Sequence, residues 1–154
     1  MTYKQLFELL PKLDSLKNLT GAQFAYTVIY NKKLINEEYK IYEEMIKPME
    51  SYLQYDKERV EICMKYSDKD ENNKPIINNN AFQITQNLDD FKSELELLNN
   101  KYSEAIRITN EQNKSVSEFL TKECDTQFKI ISNNSLPKDI SVEQLEIIMD
   151  WIVD

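Results

Sequence analysis

Apolar side chains between residues 22 and 66 recur at steps close to three and four, or their sum: Val28, Ile35, Tyr39, Tyr42, Ile46, Met49, Leu53, Val60 and Cys63. That is the period of one helical face. No glycine follows Gly21 in this segment, so the spacing predicts one long amphipathic helix over 22–66, about 65 Å end to end at about 1.5 Å per residue. A second stripe, Tyr30, Leu34, Ile41, Met45, Tyr52, Tyr55, Ile62 and Tyr66, is displaced by one residue and hence by about 100° around the axis. Pro48 lies inside the segment, where the missing N–H and the ring clash cost about 3 kcal/mol. A bend near Glu44, or two helices end to end, is the expected response.

The flanks are shorter. Residues 1–19 read as an N-terminal helical segment, with Leu6, Leu9, Leu10, Leu13 and Leu16 on its apolar side and an interruption at Pro11. Residues 67–86 read as loop and hairpin, with Ile76-Ile77 and Ala81 to Thr85 as the paired runs. Asn87, followed by Asp89 and Asp90, marks the start of a second helix over 87–125. Its buried face is Leu88, Phe91, Leu95, Leu98, Tyr102 and Ala105, and its end is ambiguous, with strand an option at Ile106 to Thr109. Residues 126–154 read as a strand, Gln127 to Ile131, able to join the hairpin, and then an acidic helix. Ser141 and Gln144 give that helix a capping box, and Val142, Leu145, Ile148, Met149 and Ile152 give it an apolar stripe. The reading is mainly α with minor β: one domain of 1–154, a long helix antiparallel to a second helix, a small β element at the turn and a capped C-terminal helix.

Composition supports long helices, since one glycine and four prolines leave few tight turns for an all-β fold. Acids outnumber bases by 27 to 19, a net charge of −8. After Lys138 come Asp139, Glu143, Glu146, Asp150 and Asp154 with no base. Such a surface repels phosphate backbones, so no direct nucleic-acid contact is expected. The N-terminal stretch lacks the apolar core of a signal peptide and no run approaches membrane-spanning length, so a cytoplasmic protein without a membrane partner is expected. Cys63 and Cys124 stand apart and read as buried free thiols.

Histidine is absent, which removes the commonest proton shuttle and metal ligand, and one glycine leaves no phosphate-binding loop. Asp68, Asp70 and Asn72 imitate the opening of a calcium loop, but Asn73 and Asn79 stand where glycine and glutamate are needed. No catalytic residue, metal site or cofactor is therefore assigned, and the chain reads as non-enzymatic. A helix with two apolar seams needs neighbours on two sides. Candidate partner-binding residues are Tyr30, Leu34, Ile41, Met45, Tyr52 and Tyr55 on the second seam, with Glu143, Glu146, Asp150, Trp151 and Asp154 on the last helix.

The turn from Tyr66 to Pro75, the helix end Leu97 to Asn99 and the segment Leu136 to Ser141 follow one another as in small uncharacterised proteins of tailed bacteriophages and prophages. The chain resembles that family over about two-thirds of its length, with Asn73 in place of the turn's glycine and residues 105–125 as an insertion. The resemblance implies a phage origin and no mechanism. The expected function is a phage-encoded protein-interaction module, an assembly or virion-associated component that binds itself, a virion protein or a host protein in the host cytoplasm. The alternative is an acidic inhibitor of a host or anti-phage defence protein that imitates nucleic acid.

Overall fold

The computed structural model describes residues 1–153, and 66% of the chain is helical. Among the described residues are six α-helices: α1 Tyr3–Leu13, α2 Ala22–Met45, α3 Glu50–Tyr66, α4 Leu88–Lys101, α5 Ser103–Thr121 and α6 Val142–Ile148. Four two-residue strands accompany them: β1 Ile77–Asn78, β2 Ala81–Phe82, β3 Ile131–Ser132 and β4 Ile152–Val153. The fold is mainly α with minor β. The chain forms two compact units, one of Met1–Ile46 with the chain from Lys114 onward, the other of Lys47–Asn113.

In the first unit, Thr2 caps α1 through a reciprocal capping box with Gln5. The expected interruption at Pro11 does not occur. Pro11 sits in the last turn, where the ladder is ending, and buried Leu13 and Leu16 pin the chain beyond it. Leu6, Leu13, Leu16, Phe24, Val28, Ile35, Ile131, Ile148 and Trp151 form the core. Beside it, Tyr3 stacks on Phe119 with centroids 4.3 Å apart, and Phe7 meets the edge of Tyr39 at 5.2 Å.

The segment 22–66 is two helices, the second of the two responses expected of Pro48. α2 ends at Met45, Ile46 caps it, and Met49 is extended at φ −71° and ψ 141°. Proline's ban on αR geometry in the residue before it ends α2, and the boundary between the units falls at the same place.

Residues 122–132 form a strap along α2 that passes into a 3₁₀ turn at Asn133–Ser135. Lys122 O accepts from Tyr3 N at 3.1 Å and Cys124 N donates to Met1 O at 2.9 Å. Thr126 Oγ1 then donates to Glu38 at 2.9 Å, and Ser135 Oγ to Gln23 at 3.1 Å. At its centre the buried Asn31 amide donates to Lys129 O at 2.9 Å and accepts from Lys129 N at 2.8 Å. This is why Gln127 to Ile131 does not join the hairpin as expected: a side chain already occupies the backbone groups of Lys129. β3 pairs instead with β4, in parallel, Ile131 opposite Ile152.

The capping box at Ser141 and Gln144 forms as expected, and of the apolar stripe Leu145, Ile148 and Ile152 turn inward while Val142 and Met149 do not. α6 stops at Ile148 and tightens into a 3₁₀ turn over Met149–Trp151. With about three residues per turn, Ile148 and Trp151 share one face. Both are buried, while Val142 and Met149 stay outside at 70% and 56% exposure.

In the second unit, Lys65 pairs with Glu94 and Glu58 with Lys101, so rising numbers on α3 meet falling numbers on α4. Between these helices β1 and β2 pair antiparallel, joined by Asn79-Asn80 with φ of 50° and 62°. Positive φ at both positions is the pattern of a type I′ hairpin turn. Asn73 also lies in the left-handed region, at φ 61°. Asn87 precedes α4, but at φ 52° and without a side-chain cap. The option of strand at Ile106 to Thr109 is not realised. α5 is continuous there, with Arg107 bonded to Glu104 and Glu111 one turn to either side, each at 2.7 Å.

Two substitutions test this architecture by denaturant unfolding. Gly21 holds φ +122° at the start of α2, so Gly21→Ala is expected to cost at least about 1 kcal/mol from backbone strain. Asn31→Ala leaves the N–H and C=O of Lys129 unpaired and is expected to cost about 2–4 kcal/mol. Wild-type stability in either variant would refute the corresponding role.

Candidate protein-interaction surfaces

Tyr26 and Tyr30 lie one turn apart on α2, which sets their rings side by side with centroids 6.1 Å apart. Asn31, the next residue, points inward and grips the backbone of Lys129. The Lys129 side chain is thereby sent outward over the tyrosines, its Nζ 4.4 Å from the Tyr26 centroid and 4.3 Å from that of Tyr30. It also donates to Tyr26 Oη at 2.9 Å. Such cation–π contacts contribute about 0.5–1 kcal/mol at exposed sites; here they hold three long side chains in place. Around this clamp Tyr26 is 56% exposed, Ile29 68% and Ile130 61%. Ile29 also borders a small groove between the end of α1 and α2, floored by Leu13, Leu16, Phe24 and Val28.

The second unit has a different surface. Glu58 accepts from Gln54 at 2.9 Å, Lys101 at 2.8 Å and Tyr102 at 2.8 Å. These three donors pull its carboxyl down to about 2. Glu94 is lowered in the same way by Lys65 and Tyr66, and Tyr55 donates to Asn99 at 2.9 Å. An open groove of about 670 Å³ runs between α3 and α4, with Lys57 and Glu61 on one wall and Leu97 on the other.

The candidate residues read from sequence are dispersed. Tyr30 stands in the clamp, Ile41 is exposed, and Leu34 and Met45 are half-buried, all on α2. Tyr52 and Tyr55 are on α3 and half-buried. The six do not form one seam, because the helical period that would align them is lost between Ile46 and Met49. Glu143, Glu146 and Asp150 are exposed. Trp151 is a correction: it is 2% exposed, packed 5.6 Å from Phe128 in the core, and cannot serve as a contact residue. Asp154 lies outside the described residues. Cys63 and Cys124 are free but half-buried rather than buried.

Sequence reasoning missed Tyr26, Ile29, Lys129 and Ile130. Ile29 belongs to neither apolar stripe, and an isoleucine off both seams of a helix is itself a signal of exposed apolar surface. The position of Lys129 depends on a contact 98 residues away and left no local trace.

The carboxylates with shifted pKa, Asp14, Glu58, Glu94, Glu104 and Glu143, all move downward, through lysine, arginine or hydrogen-bond partners. Burial and neighbouring acids push Tyr3 up to about 12. Asp70 is occupied by its own turn, accepting from the backbone N–H of Asn72 and Lys74 at 2.8 Å each. Among the described residues no group of three or more acids and cysteines is placed to hold a metal ion, and no helix is long and apolar enough to cross a membrane. Fold and surface together describe a small helical protein with preorganised apolar patches. No protein-family model matches the chain, and neither a curated protein nor a solved structure is detectably similar to it.

The Glu58 network gives a pH signature. Its carboxyl is lower in the folded chain than the ordinary 4.5, so its contribution is complete above that value and is lost as pH falls toward about 2. The melting temperature is expected to fall over this acid window, and to fall less in Glu58→Gln. Identical acid profiles would show that the network contributes nothing.

Proposed function

We propose that this chain is a phage-encoded, non-enzymatic protein-interaction module, an assembly or virion-associated component acting in the host cytoplasm or within a virion. The supporting observation is the clamp on α2. Two tyrosines sharing one lysine ammonium, beside an isoleucine that is 68% exposed, present apolar and aromatic area whose polar tips already contact one another. Aromatic anchors of this kind dominate binding energy at protein interfaces, and rigidity before binding reduces the entropic cost of association. The downward pKa shifts favour the same reading, because a general acid at neutral pH requires the opposite shift. The phage assignment rests on the resemblance of the turn and cap segments.

The exposure of Glu143, Glu146 and Asp150, none of them in an ion pair with a described residue, favours a second reading, the acidic inhibitor of a basic site on a host or defence protein. With Trp151 in the core, that surface has charge without an aromatic anchor.

Immobilised protein exposed to infected-cell and virion extracts separates the two. Retention of a protein that is lost with Ile29→Asp and Tyr26→Ala, at unchanged melting temperature, is the result expected for the module. Retention that survives those changes but disappears at high salt and on Glu143→Lys with Glu146→Lys would assign binding to the acidic helix. No retained protein in any extract would defeat both.

A further inference from the structure

We infer that the outer face of α3 is an interface for a second copy of this chain, paired antiparallel about a two-fold axis near Arg59. This goes beyond the partner surface on α2, uses the other unit of the chain, and stands or falls separately from it.

α3 has no fully buried residue. Its inner side meets α4 through Tyr55, Glu58 and Tyr66. Opposite them, at helical steps of four, three and four, lie Leu53, Lys57, Val60 and Met64. Leu53 and Met64 are 54% and 44% exposed, Val60 is half-buried, and Lys57 and the adjacent Glu61 are exposed. The 4-3-4 spacing is that of a helix–helix seam.

The order of side chains along this face supplies the occupant. A two-fold axis turns each position on one helix toward a complementary position on the other, and a closed isologous contact requires that one patch complement itself. About a centre near Arg59, Lys57 of one copy faces Glu61 of the other, and Leu53 of one copy faces Met64 of the other. Each contact occurs twice. Two apolar ends and two opposite charges therefore meet in register, whereas a parallel pairing would set Lys57 on Lys57 and Glu61 on Glu61. Across the open groove Leu97, at 68% exposure, lies beside the same wall and extends the apolar margin onto α4. A pair of 17-residue helices touches over at most about 25 Å of length, a small contact. The expected dimer is accordingly weak and concentration-dependent.

Sedimentation velocity of the full chain over a range of concentrations tests this by charge swapping. Wild-type protein should shift from monomer to dimer as concentration rises. Lys57→Glu places four acids at the contact and Glu61→Lys places four bases there, so each should weaken the dimer at least ten-fold. The double variant, Lys57→Glu with Glu61→Lys, recreates the complementary pairs and should return to near the wild-type affinity. Leu53→Asp should abolish the dimer. All three substituted positions are exposed, and unchanged helical circular dichroism in each variant confirms that folding is intact. A wild-type chain that stays monomeric at every concentration would overturn the inference. So would a dimer indifferent to the single charge changes, or one that the double variant fails to restore.

Discussion

Asn31 has no exposed surface, yet both polar ends of its side chain are satisfied by the backbone of one residue 98 positions away. A buried amide left unpaired costs several kilocalories, so a position like this either finds its partners or prevents the fold. Here the amide substitutes for a neighbouring strand. It takes the N–H and C=O of Lys129 that a sheet would have used, and it anchors the strap midway along α2. Once Lys129 is fixed, Ile131 enters the core two residues on, β3 is positioned to receive β4, and the chain closes over Trp151. The outward course of the Lys129 side chain, and with it the tyrosine clamp, follows from the same pair of hydrogen bonds. Core and surface patch are two consequences of one contact.

The unit of Lys47–Asn113 is held differently. Leu98, Ala105 and Ser67 are its buried residues among those described, a small core for three helical segments and a hairpin. Cohesion across α3 and α4 depends heavily on groups at the rim: Glu58 with Lys101 and Tyr102, Glu94 with Lys65 and Tyr66. Pairs at such exposure contribute little individually and weaken in salt. Left-handed asparagines at positions 73, 79, 80 and 87 set the turns, at some conformational cost compared with glycine. A unit that buries this little of its own apolar surface has more to gain from covering the remainder than one with a complete core.

Much of the architecture was legible because it is written in local chemistry. The capping box at Ser141 and Gln144, the hairpin before α4, the left-handed Asn73 and the acids opening α4 each depend on residues within one turn of one another. The same S/T-x-x-Q grammar was present, unread, at Thr2 and Gln5. Errors arose where the deciding partner was remote or the helical pitch changed. Apolar residues keep helical phase across Pro48, so periodicity alone runs α2 into α3, and it was the proline that marked the break, where four residues are not helical. The β-forming run before Ile131 was recognised as extended, but its partner is a helix side chain, which no period reveals. Trp151 was read as a contact residue of a regular last helix, and the tightening to 3₁₀ after Ile148 turns it into the core. At the surface, Tyr30 could be found from the second stripe, while Ile29 belongs to neither stripe and went unread.

Tyr26, Tyr30 and Lys129 also bear on why exposed apolar surface is tolerated at all in a protein of net charge −8. A lysine stem covers apolar area while keeping its ammonium in water, and each tyrosine keeps its hydroxyl available to solvent or, as at Tyr26, to the lysine. In the interaction role proposed above, the clamp would bind only a surface that can replace water at those three polar tips. An apolar patch of leucines in the same place would bind more indiscriminately. Surrounding a bare Ile29 with tyrosines and a lysine narrows the set of surfaces that can cover it, which is how one exposed residue contributes affinity while its neighbours contribute selectivity.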